Sequence, residues 1–307
     1  IALCCASNIL KMRLRWVTED LRYFDLHCDT LSRCVDIGEK LAQNSGAVDI
    51  RRLEYYEQPV QVFAAFIHDR YTGAAAYDRF LEQYRIYRAA DFGKVLPILA
   101  VENAAVLQGN LTVLDTLYQM GVRLLTLTWN GENHLGGGAD TDQPLTAFGE
   151  QVVRHCERLG VVVDVSHLND RGFARLCEIA RRPFIATHSN ARQVCDHRRN
   201  LDDWQIGQIF DRGGIVGLNL YPPFIGKRLS GYEDLFLHID RFLKLGGENR
   251  LALGTDFDGA ELDDRFAGVQ DMADLYQAIV MRYSEQIAQK IFYKNAKDFF
   301  DKINKIS

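Results

Sequence analysis

Eight short apolar runs, spaced along 307 residues and separated by longer polar stretches, set the tightest limit on how this chain can fold. They are YFDLHC at 23–28, VQVFAAFI at 60–67, KVLPILAV at 94–101, VRLLTLTW at 122–129, VVVDVS at 161–166, PFIATH at 183–188, IVGLNL at 215–220 and RLALGTDF at 250–257. Most are continuously apolar, as strands buried on both faces must be. Helical periodicity fills most of the intervals. Tyr77, Leu81, Tyr84 and Ile86 recur at helical spacing within 74–90. The stretch 111–120 ends at Gly121, 146–159 at Gly160, 202–210 near Gly213 and 232–245 at Gly246. A glycine just past a helix supplies a left-handed C-cap. Asn169 is placed to N-cap a helix reaching Ala180, and a last helical run covers 284–303. The connection 31–59 is the least regular. Strands alternating with helices predict an α/β chain, a single (β/α)8 TIM barrel over 23–307, with an extension over 1–22. A doubly wound open sheet would carry a Gly-rich phosphate loop after its first strand, and none is present.

Composition excludes several function classes. The formal charge is −5 and basic blocks are absent, which argues against nucleic acid or an anionic membrane surface as a partner. The seven cysteines are odd in number and scattered, with no C-x-x-C. That pattern fits reduced thiols in a cytoplasmic protein, and neither a disulfide framework nor a thiolate zinc site. The early apolar stretch Ile1–Leu10 is interrupted by Ser7 and Asn8. It is shorter than the roughly 20 residues of a membrane helix and lacks the marks of a signal peptide. The closing DKINKIS has no apolar tail, so no membrane anchor is evident.

The residues that carry chemistry fall at the ends of the runs. His27 and Asp29 end the first, Glu102 the third, His167 the fifth, His188 the sixth and Asp256 the eighth. In a (β/α)8 barrel the carboxyl ends of the strands form one rim, and active sites are built there. Positions i and i+2 of a strand point the same way, so His27 and Asp29 can grip one ion together. A second H-x-D, His238-Ile239-Asp240, lies in a helical run where its two side chains diverge, and it reads as structural. Imidazoles and carboxylates are ligand types suited to Zn²⁺ or similar ions. Three histidines with two or three carboxylates are too many for one tetrahedral zinc. They suit two ions about 3.5–4 Å apart that share a carboxylate. Glu102 is the natural bridge, lying between the two groups in strand order. Two cations acting on one water would produce a hydroxide nucleophile near neutral pH. No G-x-S-x-G elbow and no H-E-x-x-H helix offers an alternative. One arginine of the pair Arg198-Arg199, in the loop after the sixth run, could clamp a substrate carboxylate.

In this order, the strings FDLHCDTL, AVEN, VVDVSH, THSNAR, HRRN and GTDFDG resemble the membrane (renal) dipeptidase family of the amidohydrolase superfamily. The resemblance implies a dipeptidase with two zinc ions per chain, His27 and Asp29 on one, His167 and His188 on the other, and Glu102 bridging. It implies that Arg199 binds the substrate's C-terminal carboxylate. Asp256 would handle protons and the substrate's amino group. It further implies a homodimer, here of a cytoplasmic, bacterial-type member. One position departs from the family. Where a histidine commonly ends the fourth strand and stabilises the oxyanion, this chain has Trp129, which can donate a hydrogen bond but cannot become a cation. His134, five residues on, is a candidate substitute. The ligand set alone also suits an N-acyl amino acid deacylase, a lactonase, or a peptide-binding barrel without turnover.

Overall fold

The computed structural model describes residues 21–226 and 232–304. The expected extension therefore lies almost wholly outside the described residues, as do Cys4 and Cys5. Seven strands form one parallel sheet: β1 (Tyr23–Cys28), β2 (Pro59–Phe66), β3 (Leu96–Glu102), β4 (Val122–Thr126), β5 (Val162–Asp164), β6 (Val216–Leu218) and β7 (Leu251–Leu253). Their order across the sheet is β5-β4-β3-β2-β1-β7-β6. The sixth apolar run closes the ring between the two outer strands. Ile185 N–H donates to Val163 O at 3.0 Å and Val165 N–H to Ile185 O at 2.8 Å. On its other side Ala186 N–H donates to Ile215 O at 3.1 Å and Gly217 N–H to Ala186 O at 2.8 Å. The result is a (β/α)8 barrel whose sixth stave is joined by parallel bridges instead of a regular ladder.

The helices follow the sequence signals closely. Thr146, Asn169 and Asp202 cap Ala147–Leu159, Asp170–Ile179 and Asp203–Asp211 by accepting from a backbone N–H in the first turn. Gly160 takes the left-handed conformation, φ 77°, that ends the first of these. The irregular connection 31–59 contains the helix Thr30–Ile37 and the short turn Ile50–Leu53. After β7 the alternation breaks down, because two helical units follow instead of one. Met272–Arg282 precedes the closing run, which is itself split by a wider helical turn over Lys290–Lys294.

Two apolar layers hold the barrel together. One packs the outward strand residues, such as Phe63, Ala65, Val101 and Leu125, against the helices. The other gathers Phe24, Val60, Leu124, Val162, Ile185, Ile215 and Ala252, which lie at or near the starts of their strands. The last helix, Asn295–Asn304, seals that end with Phe299, Phe300 and Ile303. The rings of Phe24 and Phe300 stack at 5.4 Å. The opposite mouth is left for polar side chains. His238 is fully buried in the helix Glu233–Lys244, with Nδ1 accepting from Ala191 N–H at 3.1 Å and Nε2 donating to Ile225 O at 2.9 Å. It ties the loops after the sixth run and β6, a structural role. Cys28, Cys34, Cys156, Cys177 and Cys195 form no disulfide. Among the described residues no helix is long and apolar enough to cross a membrane.

Candidate metal centre and active site

The open mouth collects the strand-end residues. β1 delivers His27, and Asp29 follows as the cap residue of Thr30–Ile37 without capping it. Its carboxylate is turned to the barrel axis, with Oδ2 at 3.4 Å from His27 Nε2. Glu102 is the last residue of β3, on the same face as Ile98 and Ala100. Its two oxygens face different neighbours. Oε2 lies 3.4 Å from His27 Nε2, whereas Oε1 lies 2.8 Å from His167 Nε2 and 3.7 Å from His188 Nε2. His27, Asp29 and Glu102 thus form one trio whose ligand atoms lie within 4.8 Å of one another, and Glu102, His167 and His188 form a second. Asp256 joins His27 and His188 in a third such trio.

Hydrogen bonding outside the cluster fixes how the imidazoles face it. Asn130 Oδ1 sits 2.8 Å from His167 Nδ1, and a carbonyl oxygen can only accept, so the proton is on Nδ1. Thr187 Oγ1 gives its proton to Asp164 at 2.7 Å, so at 2.8 Å it accepts from His188 Nδ1. Both rings therefore present an Nε2 lone pair, and these two nitrogens lie 3.0 Å apart. Two lone pairs at that distance repel unless a cation lies between or beside them. This is the arrangement in which a neighbouring acceptor sets the tautomer of a metal-binding histidine.

Electrostatics point the same way. Burial, reinforced by Asp29, pushes the Glu102 carboxyl up to about 8. Burial also raises Asp256 above the ordinary carboxylate range, against the pull of His27. It lowers His167 and His188 well below the usual imidazole value, with Arg199 and His27 adding to the effect. Burial opposes a charge on His27 as well, but Glu102 and Asp29 outweigh it and raise its pKa well above the ordinary value. Burial and crowding thus hold back the charge on these carboxyls, and bound divalent cations would favour their ionised form. Asp29 Oδ1 is buried without a hydrogen-bond partner. A Cβ on Gly259 would come within 2.1 Å of Asp29 Oδ2 and 2.7 Å of Asp256 Oδ1, so a backbone without a side chain leaves that space open. The residues fit a metal centre.

The structure separates the arginine pair. Arg198 is exposed and reaches Asp140 at 3.2 Å. Arg199 is buried, with its guanidinium 5.3 Å from the centroid of the Phe224 ring and its Nε unpartnered. Arg199 lines one cavity of about 700 Å³ with Asp29, Glu102 and His167, together with Trp129 and Asp256. His134, by contrast, is exposed, packs over Gly109 and does not line that cavity. Beside His167, a second imidazole lines it, that of His68 just beyond β2.

Several supporting residues carried no sequence signal of their own. Asp25 and Asp164 are fully buried acids within apolar runs. Asp25 accepts from Thr255 N–H at 2.9 Å and Thr255 Oγ1 at 2.7 Å, tying β1 to the approach to Asp256. Asp164 accepts from Thr126 at 2.6 Å and from Thr187 N–H at 2.9 Å, fixing the approach to His188. Asn219 donates to Asp256 Oδ2 at 3.0 Å. His167 and Asp256 have φ of 72° and 64°, and such conformations in non-glycine residues concentrate at functional sites.

Imidazoles and carboxylates gathered at the carboxyl mouth of a (β/α)8 barrel define the class of metal-dependent hydrolases built on this fold. Within that class the chain belongs to the membrane dipeptidase family, peptidase family M19, whose sequence pattern matches residues 85–307. It is 34% identical over 219 residues to a protein encoded in the pqqA 5′ region of Klebsiella pneumoniae, covering 66% of this chain and 80% of that one. It is 32% identical over 202 residues to the dipeptidase C965.12 of Schizosaccharomyces pombe, covering 62% of this chain. The chain spans about half of that yeast relative, 48% of its length. A solved structure of a metallo peptidase from Rhodobacter sphaeroides, liganded with a phosphinate mimic of the dipeptide L-Ala-D-Ala, superposes with a TM-score of 0.85. That pair shares 25% identity and covers 92% of this chain and 99% of the other.

Proposed function

We propose that this chain is a zinc-dependent dipeptidase that holds two Zn²⁺ ions, one on each side of Glu102. The observation that carries the reading is Glu102 itself, with one oxygen toward His27 and the other toward His167 and His188. His27 and Asp29 would hold one ion, and His167 and His188 the other. Such a zinc pair supplies an activated water and Lewis-acid polarisation of the peptide carbonyl.

The protein's own groups do the rest. Arg199 receives the substrate's free carboxylate. Its burial excludes competing water, and the Phe224 ring against its face fixes the plane of the fork. Asp256 takes a proton from the attacking water and hands it to the amine as the C–N bond breaks. Asn219 holds its Oδ2, while Oδ1 faces His27 at 4.0 Å. Trp129 forms part of the wall around the scissile bond. The reading includes a homodimer in solution, which sedimentation equilibrium would separate from a monomer.

Zinc-loaded protein assayed on L-Ala-L-Ala, L-Ala-D-Ala and their C-terminal amides tests this. Dipeptides with a free carboxylate should turn over at least about 100-fold more efficiently, the scale of losing a buried charge-assisted pair. Equal cleavage of the amides would overturn the carboxylate clamp. Turnover of N-acyl amino acids with none of dipeptides would overturn the dipeptidase reading.

A further inference from the structure

We propose that Phe66, His68 and Trp129 form an aromatic wall that receives the side chain of the substrate's amino-terminal residue. The enzyme would then prefer dipeptides with a large apolar or aromatic residue at that position. The proposal rests on the dipeptidase reading and adds the substrate class to it.

The three rings pack on one another at the cavity's edge. Centroids lie 5.2 Å apart for Phe66 and Trp129, 4.8 Å for His68 and Trp129, and 6.2 Å for Phe66 and His68. Each is only partly buried, and each lines the same cavity as Glu102, His167 and Arg199. The loop that carries His68 is pinned. Its neighbour Asp69 accepts from Asn103 Nδ2 at 2.9 Å and from Gly131 N–H at 2.7 Å, so it is tied to the loops after β3 and β4. His68 Nδ1 accepts from Arg70 N–H at 3.1 Å, which sets the ring's tilt. The wall is preformed and needs no rearrangement to receive a side chain.

Position around the ring assigns the wall to one end of the substrate. The staves run β1, β2, β3, β4, β5, the 183–188 segment, β6 and β7. Arg199 follows the sixth stave and stacks on Phe224, which follows the seventh. In a ring of eight, the second and third staves stand opposite these. Phe66 ends β2 and His68 lies just beyond it, and Trp129 leans over from β4. A dipeptide with its carboxylate on Arg199 and its amide at the central cluster extends its amino-terminal residue toward β2. The cavity, about 700 Å³, has ample room for a side chain larger than methyl.

The test compares Gly-Ala, Ala-Ala, Leu-Ala and Phe-Ala on the zinc-loaded protein, with Ala-Gly and Ala-Phe as controls for the other end. The native protein should cleave Phe-Ala with kcat/KM about tenfold above Gly-Ala, within the range of aromatic and apolar contacts. Trp129→Ala and His68→Ala should each shrink the Phe-Ala to Gly-Ala ratio about fivefold, and should leave the Ala-Phe to Ala-Gly ratio in place. Trp129→Phe, which keeps an aromatic ring, should retain most of the preference. Equal cleavage of Gly-Ala and Phe-Ala by the native protein would overturn the wall alone. So would variants that move the carboxyl-side ratio instead. If no dipeptide is cleaved, the functional reading fails, and calorimetry still judges the wall. A phosphinate dipeptide mimic with a benzyl group on its amino side should bind about tenfold tighter than one with hydrogen there. Equal affinities would overturn it.

Discussion

At the scale of single residues, the site depends on what is absent as much as on the ligands. Gly259 is the sharpest case, because its missing side chain is the space between Asp29 and Asp256. Gly259→Ala should lower kcat by at least about 100-fold through displacement of these carboxylates, a 1 Å-scale misplacement. The urea midpoint should stay close to that of the native protein. Activity within threefold of native would show that the two carboxylates do not share that space. Much of this cluster is legible in the sequence, because a strand end in a (β/α)8 barrel has only one place to be. His27, Asp29, Glu102, His167 and His188 converge as their positions demand. The arginine pair is less legible. Arg198 and Arg199 are chemically alike and adjacent, and only the packing of Phe224 shows which one turns inward. Asp25 and Asp164 are opaque for the opposite reason. A lone acid inside an apolar run does not reveal that four or more donors will gather on it. His68 could not be ranked above His134 either, since the choice is made by loops that cross between staves.

At the scale of elements, the caps and apolar runs identify most boundaries. Tertiary context decides the remainder. The run at 183–188 forms bridges on both sides but no continuous ladder, and the alternation of strands and helices does not foresee Met272–Arg282. The helix Glu233–Lys244 carries a consequence for acid stability. Burial, opposed by its bond to Ile225 O and by the charge of Asp234, lowers the His238 pKa from 6.5 to about 4. Protonation would remove the Nδ1 lone pair that Ala191 N–H uses. Between pH 6.5 and 4 the unfolded chain binds a proton that the folded chain refuses, so stability falls as the pH drops through that window. The full difference is about 3 kcal/mol at 1.36 kcal/mol per unit, and this group adds nothing further below pH 4. His238→Gln removes the titration. Its loss of unfolding free energy between pH 7 and pH 4, read from urea curves, should be smaller than that of the native protein by about that amount. Parallel curves for the two proteins would show that His238 is not held neutral.

For the whole molecule, the two ends of the barrel divide the work. The end sealed by Phe299, Phe300 and Ile303 is apolar and gives rigidity. The other end gathers buried carboxylates and neutral imidazoles into trios of metal-ligand type. That gathering is what links fold to chemistry, and zinc is where it can be tested most directly. Crystals of zinc-loaded protein should be measured at the zinc absorption edge. The account predicts two anomalous peaks about 3.5–4 Å apart, one on each side of the Glu102 carboxylate. A single peak, or peaks away from Glu102, would contradict it.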